Sequence, residues 1–157
     1  MDSIRAFGWR CLAATVATMN STSTLGVLLL AATAAAQNSF HPFGRPCGGD
    51  LAGQVVRTQR GAALQWDVTN ADAGAIAILV VGHLAATPIA LPGSGCLLLV
   101  DPRTTLFQQV DGRGHAQFLM ALPPVVPLQV QFQAVTVELS RMGRVAESTN
   151  GVEFRAR

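Results

Sequence analysis

The sequence predicts an all-β fold, an antiparallel β-sandwich of about seven or eight short strands behind an N-terminal signal segment. Three observations carry that expectation. Apolar and polar residues alternate with period two in several runs, β-branched apolar stretches are bracketed by Gly or Pro, and Gly-rich or Asn-Gly turns separate candidate strands. No stretch shows the helical period. Half of the 157 residues are apolar and 13% are charged, so the chain has material for a buried core and too few charges for a disordered one.

The first 36 residues read as a targeting segment. Arg5 and Arg10 precede the apolar run Leu25 to Ala36, which ends in Ala34, Ala35 and Ala36 before Gln37. Positive flank, apolar stretch and small-residue end are the marks of a cleaved secretory signal. The polar patch from Asn20 to Thr24 interrupts the lead, which leaves Met19 as an alternative start and an uncleaved anchor reaching back to Cys11 as the rival reading. As a helix, Leu25 to Ala36 would cover roughly 18 Å of a hydrocarbon core about 30 Å thick, too little to span it. Cleavage after Ala36 leaves a domain over residues 37–157 with no membrane span. It also removes Cys11 and leaves Cys47 and Cys96 as an even pair, expected to bridge in an oxidising compartment; two unrelated buried thiols are the alternative.

From Gln37 to Gly53 the chain is rich in Gly, Pro and small polar residues and reads as an irregular lead. Leu64, Trp66 and Val68 alternate with Gln65, Asp67 and Thr69, which places Trp66 on the buried face of its strand. Ala75 to Val81 is apolar throughout, with Ile76, Ile78, Val80 and Val81 between Gly74 and Gly82. That pattern predicts a central strand covered on both sides. Pro88 and Pro92 restrict the next segment to an edge strand or loop, and Asp101-Pro102 is expected to stop the strand Cys96 to Val100.

Leu106 to Val110 and Ala116 to Leu122 flank Asp111-Gly112-Arg113-Gly114, a pattern that predicts an antiparallel hairpin. Leu128 to Ala134 puts its apolar residues at even positions, but the apolar set then shifts to Val135, Val137 and Leu139, so a β-bulge is expected close to Ala134 and Val135. Asn150-Gly151 predicts a last hairpin.

The segments Ala75 to Gly82, Gly95 to Pro102, Asp111 to Gly114, Gln131 to Val135 and Ser148 to Val152, in that order, resemble an uncharacterised β domain that recurs in secreted bacterial proteins, often towards their C-terminal ends. Together they span Gly44 to Phe154. The resemblance implies export and a β fold, and it transfers no activity.

Chemistry is sparsely signalled. The net charge is +2, all basic residues are Arg, and those from Arg45 to Arg157 are scattered, which excludes a basic nucleic-acid stripe. Ser94 lies in Pro-Gly-Ser-Gly-Cys, which is no nucleophile elbow, and no catalytic residue is assigned. Neither HxH, HExxH nor CxxC occurs, so no zinc site or other cofactor is expected; calcium remains conceivable at Asp101, Asp111 and Asn150, which fall in expected turns.

Two function classes stay open. One is an exported non-enzymatic module for envelope or extracellular interaction or assembly with a protein or cell-surface partner, acting through a sheet edge or a face such as Gln129, Gln131 and Gln133. The other is a small secreted hydrolase or carbohydrate-binding protein built on a loop cluster of His83, Asp101, Asp111 and His115. The two differ in whether those four side chains meet.

Overall fold

The computed structural model describes residues 37–157 apart from 123–126 and 141–142. The expected signal segment, Cys11 included, lies outside the described residues. Among the described residues there are eight strands: β1 (Asn38–Phe43), β2 (Asp50–Thr58), β3 (Gly61–Thr69), β4 (Ile76–Ala90), β5 (Leu97–Gln109), β6 (Ala116–Ala121), β7 (Leu128–Ser140) and β8 (Gly143–Ala156). They form two antiparallel sheets, one in the order β1-β8-β7-β4-β5 and the other β2-β3-β6. The second sheet lies over the first, with β2 against β8 and β1, and β6 beside β5. No described helix is long and apolar enough to cross a membrane.

Alternation puts one set of side chains from each sheet into the shared interior. Leu64, Trp66 and Val68 of β3 meet Ala77, Leu79 and Val81 of β4, Phe132 and Ala134 of β7, and Val152 and Phe154 of β8. Trp66 is fully buried and stacks on Phe132 with ring centroids 4.0 Å apart, and Phe40 of β1 closes on it edge-first at 5.7 Å. The expected central strand is β4, flanked by β7 and β5.

A second, smaller core lies on the outer face of the larger sheet. Val80, Val135 and Ala146 point away from the sandwich yet are buried, because Leu98 and Val100 cover them. The cover is the far end of the β4–β5 hairpin. Pairing is irregular between Leu84 and Ile89, a stretch that contains Pro88, and beyond it the hairpin folds back as a flap across β7 and β8. Ala146 N–H donates to the Pro92 carbonyl at 3.2 Å, and Ser94 Oγ–H donates to the Ala146 carbonyl. A disulfide between Cys47 and Cys96 ties the flap to the segment joining β1 and β2.

This second core explains the phase change in β7. The strand pairs with β4 in unbroken register from Gln131 to Val137, so its side chains do not flip. Val135 and Val137 are apolar because the flap covers that face. The irregularity near Ala134 is real but belongs to the β8 side, where Thr149 and Asn150 stand opposite Ala134 alone.

Five further expectations are corrected. The supposed irregular lead contains β1 and the first residues of β2, whose Gly and Pro residues obscure the pattern. Asp101-Pro102 does not end a strand: β5 runs through it, as an edge strand can, with Arg103 left out of register between the Val81–Thr104 and Gly82–Pro102 pairs. Gly82 is required there, since a Cβ would overlap the Asp101 carbonyl oxygen. The strands around Asp111 to Gly114 lie in different sheets, so the turn carries the chain across the sandwich instead of closing a hairpin. Asn150-Gly151 sits inside β8, where Asn150 accepts from Leu51 N–H at 2.9 Å and donates to the Leu51 carbonyl at 3.1 Å, fastening β2 to the opposite sheet. Finally, four of the strands are long, from 13 to 15 residues.

Candidate functional site

The four nominated loop residues fall into two pairs. His83 and Asp101 face each other in register on β4 and β5, both exposed, with Arg103 Nη2 3.5 Å from the Asp101 carboxylate. Asp111 and His115 belong to the crossing turn beyond Gln109. His83 is eight residues of β4 away from Ala75, the residue that bonds Val110, a distance on the order of 25 Å along a strand. The pairs therefore do not share a pocket.

Asp111 has a local task. Its Oδ1 accepts from Arg113 N–H at 2.8 Å and His115 N–H at 2.9 Å, and these backbone donors, that of His115 foremost, hold its carboxyl below the ordinary value. His115 Nε2 lies 3.4 Å from Asp67 Oδ1, which also accepts from Gln117 at 2.9 Å. For calcium, Asn150 has committed its oxygen to Leu51, and Asp111 follows the Ile76–Gln109 end of the β4–β5 pairing, far along β5 from Asp101 opposite His83. Among the described residues no three His, Cys, Asp or Glu side chains are grouped to hold a metal ion. Ser94 accepts from Cys96 N–H at 3.2 Å and acts as a turn residue.

The Gln row of β7 is not the open polar face that sequence suggests. Gln133 is fully buried beneath the flap, Gln131 is buried beyond it against Glu153, and Gln129 is exposed. Gln129 and Gln131 both donate to Glu153 Oε2, each at 2.9 Å.

The surface that stands out is the side of the sandwich formed by β5 and β6. From Asp101 to Gln109 every residue is exposed except Leu106, which is half-buried, and among the described residues β5 has no neighbouring strand on its outer side. Asp101, Pro102 and Arg103 blunt one end of this edge, but Thr104-Thr105-Leu106-Phe107-Gln108-Gln109 carries neither charge nor Pro. Phe107 is 66% exposed and Ile76 43%, and with Val137 they line a shallow open depression of about 690 Å³ that runs up to Gln108 and Gln109. β6, beside it, is equally uncharged and leaves Leu119 exposed. By contrast, the opposite side carries Pro42 on β1 and Asp50 and Arg57 on β2. Sequence reasoning could have found the free edge from its uncharged run, but only the topology shows that β5 has no partner there.

The chain matches no family model, and neither the curated proteins nor the solved structures provide a match.

Proposed function

We propose that this chain is an exported, non-enzymatic β-sandwich module that takes up an extended polypeptide segment of another protein along the free edge of β5. The observation that carries this reading is the uncharged edge Thr104 to Gln109 lying beside exposed Phe107 and Ile76. Unpaired strand N–H and C=O groups supply main-chain hydrogen bonds to an added strand, and the depression, lined by Ile76, Phe107 and Val137 together with Gln108, Gln109 and Glu138, supplies a seat for its side chains. A monomeric domain normally protects such an edge with charge, Pro or a covering loop. Export is supported by the N-terminal pattern and by the Cys47–Cys96 disulfide, a bond that persists in oxidising compartments.

The test compares captures from the producing cell's envelope and medium by the full-chain product and by its Phe107→Lys and Thr105→Lys variants. A partner held by the parent and lost by both variants, whose stability should change by less than about 0.5 kcal/mol, supports edge pairing. Equal capture by all three overturns it. Intact mass of the purified product checks export: loss of residues 1–36 with a closed disulfide is the expected result.

A further inference from the structure

On the outer face of the larger sheet, at the end the flap leaves open, four strands place one residue each in a single row. His41 of β1 pairs with Glu153 of β8, Glu153 with Gln131 of β7, and Gln131 with Gly82 of β4. Gly82 contributes no side chain, so the row ends in a gap, and Leu84, 63% exposed, forms its far wall. Phe43 forms a near wall. Its ring lies directly on Gly151, where a Cβ would collide with it, so this wall exists because position 151 is glycine. The result is a cleft of about 260 Å³ with His41, Gln131, Glu153 and Arg155 as its polar lining and Phe43, Pro42 and Leu84 as its apolar sides.

The floor is built rather than incidental. Glu153 Oε2 accepts from Gln129 and Gln131, and Oε1 accepts from Arg155 Nε. The two charges cancel. Arg155 uses only its Nε–H on Glu153, which leaves the guanidinium with further donors, and the site offers planar amide, carboxylate and guanidinium groups within one small space. A charged ligand would have to compete with the Glu153–Arg155 pair. A purely apolar one would strip water from that pair without replacing it.

We propose that this cleft binds a neutral saccharide ring, whose hydroxyls can donate to Glu153 and accept from Arg155 while its C–H faces rest against Phe43 and Leu84. The volume lies below the ~300–1,000 Å³ of sites for drug-sized ligands, so it suits about one ring. This site is separate from the β5 edge and does not depend on it.

The test is an amide-shift titration of the full-chain product with methyl glycosides of glucose, galactose, mannose and N-acetylglucosamine, run beside glycerol, acetate and guanidinium. Saturable shifts with at least one glycoside, centred on Gln131, Glu153 and Arg155 and absent with the small controls, are expected. Arg155→Gln, which loses a charge-assisted hydrogen bond, and the exposed-wall variant Leu84→Asp, which replaces apolar contact with a hydrated charge, should each weaken that binding roughly tenfold, with the rest of the spectrum unchanged. The proposal is overturned if no glycoside gives saturable shifts, if the controls give the same shifts, or if folded Arg155→Gln and Leu84→Asp bind as well as the parent.

Discussion

Gln133 and Leu99 are joined as if they were residues of neighbouring strands: the side-chain Oε1 of Gln133 accepts the Leu99 N–H at 2.7 Å. The same amide donates to the Leu97 carbonyl at 3.1 Å and to the Thr149 carbonyl at 2.9 Å. One fully buried side chain thus binds the flap to the sheet beneath it, completing backbone hydrogen bonds that no strand supplies. Gln133→Leu should remove all three at once and strip the buried Thr149 carbonyl and the part-buried Leu99 N–H and Leu97 carbonyl of this partner. A loss of about 2–4 kcal/mol is expected in urea unfolding, whereas Gln129→Leu, on the exposed end of the same strand, should change stability by less than about 0.5 kcal/mol.

The disulfide acts on the same flap from its other end. Cys96 is buried and Cys47 exposed, and they are separated by 49 residues in sequence. A loop of that length corresponds to about 4 kcal/mol in the chain-entropy account. The double variant Cys47→Ser, Cys96→Ser should therefore unfold at markedly lower denaturant. Because the second core of Val80, Leu98, Val100, Val135 and Ala146 depends on the flap, early proteolytic cleavage should map between Ala85 and Leu97.

The larger core was legible in the sequence because it obeys a local rule. Leu64, Trp66 and Val68 at alternate positions announce a buried face whatever lies opposite, and Ala75 to Val81 announce a central strand, whose expected two-sided cover fails at Ile76, 43% exposed. What was hidden depends on groups far apart in sequence. Asn150-Gly151 has the residue types of a tight turn, but Asn150 reaches Leu51, 99 residues away, and the strand runs on through a bulge instead of reversing. Asp111 does organise a turn, yet only the placement of β5 and β6 in different sheets decides that it crosses the sandwich. The Gln row of β7 looks solvated throughout until the flap is laid over Gln133. The Glu153 cleft was hidden for the same reason, since its lining comes from β1, β4, β7 and β8 together and its gap from the missing side chain of Gly82.

Gly82 gives a sharp test of the bulge that lets β5 pass through Pro102. A Cβ at this position would overlap a backbone oxygen, that of Asp101, which cannot swing away as a side chain could. Gly82→Ala should destabilise the fold by about 2–4 kcal/mol, read as a lowered urea midpoint with an unchanged slope. It should also widen the Glu153 cleft's end, because β4 and β5 must separate locally.

Trp66 is fully buried, and its indole N–H has no hydrogen-bond partner among the described residues. An unpaired buried donor opposes folding, so removing it offsets part of what a smaller ring loses in packing. Trp66→Phe should accordingly cost less than about 2 kcal/mol, against about 3–5 kcal/mol for Trp66→Ala, which empties the space beside Phe132. Thermal or urea unfolding followed by far-ultraviolet circular dichroism distinguishes the two.

Acid should weaken the outer face through Glu153. Burial of this carboxyl works to raise its pKa, but the hydrogen bonds from Arg155, Gln129 and Gln131 together outweigh burial and hold it below the ordinary glutamate value. A carboxyl whose native pKa is depressed contributes stability that is fully present above its unfolded value and is lost as the pH falls through its native one. The unfolding free energy should thus decline on acidification across that interval, as protonation removes the acceptor that Arg155 and the two glutamines share. In Glu153→Gln the decline over the same interval should be smaller, with any remaining slope coming from other carboxyls such as Asp111, whose pKa is lowered by the backbone donors of His115 and Arg113. Urea titrations of both proteins at a series of pH values below neutrality measure the difference, and identical slopes would show that Glu153 is not coupled to folding through these bonds.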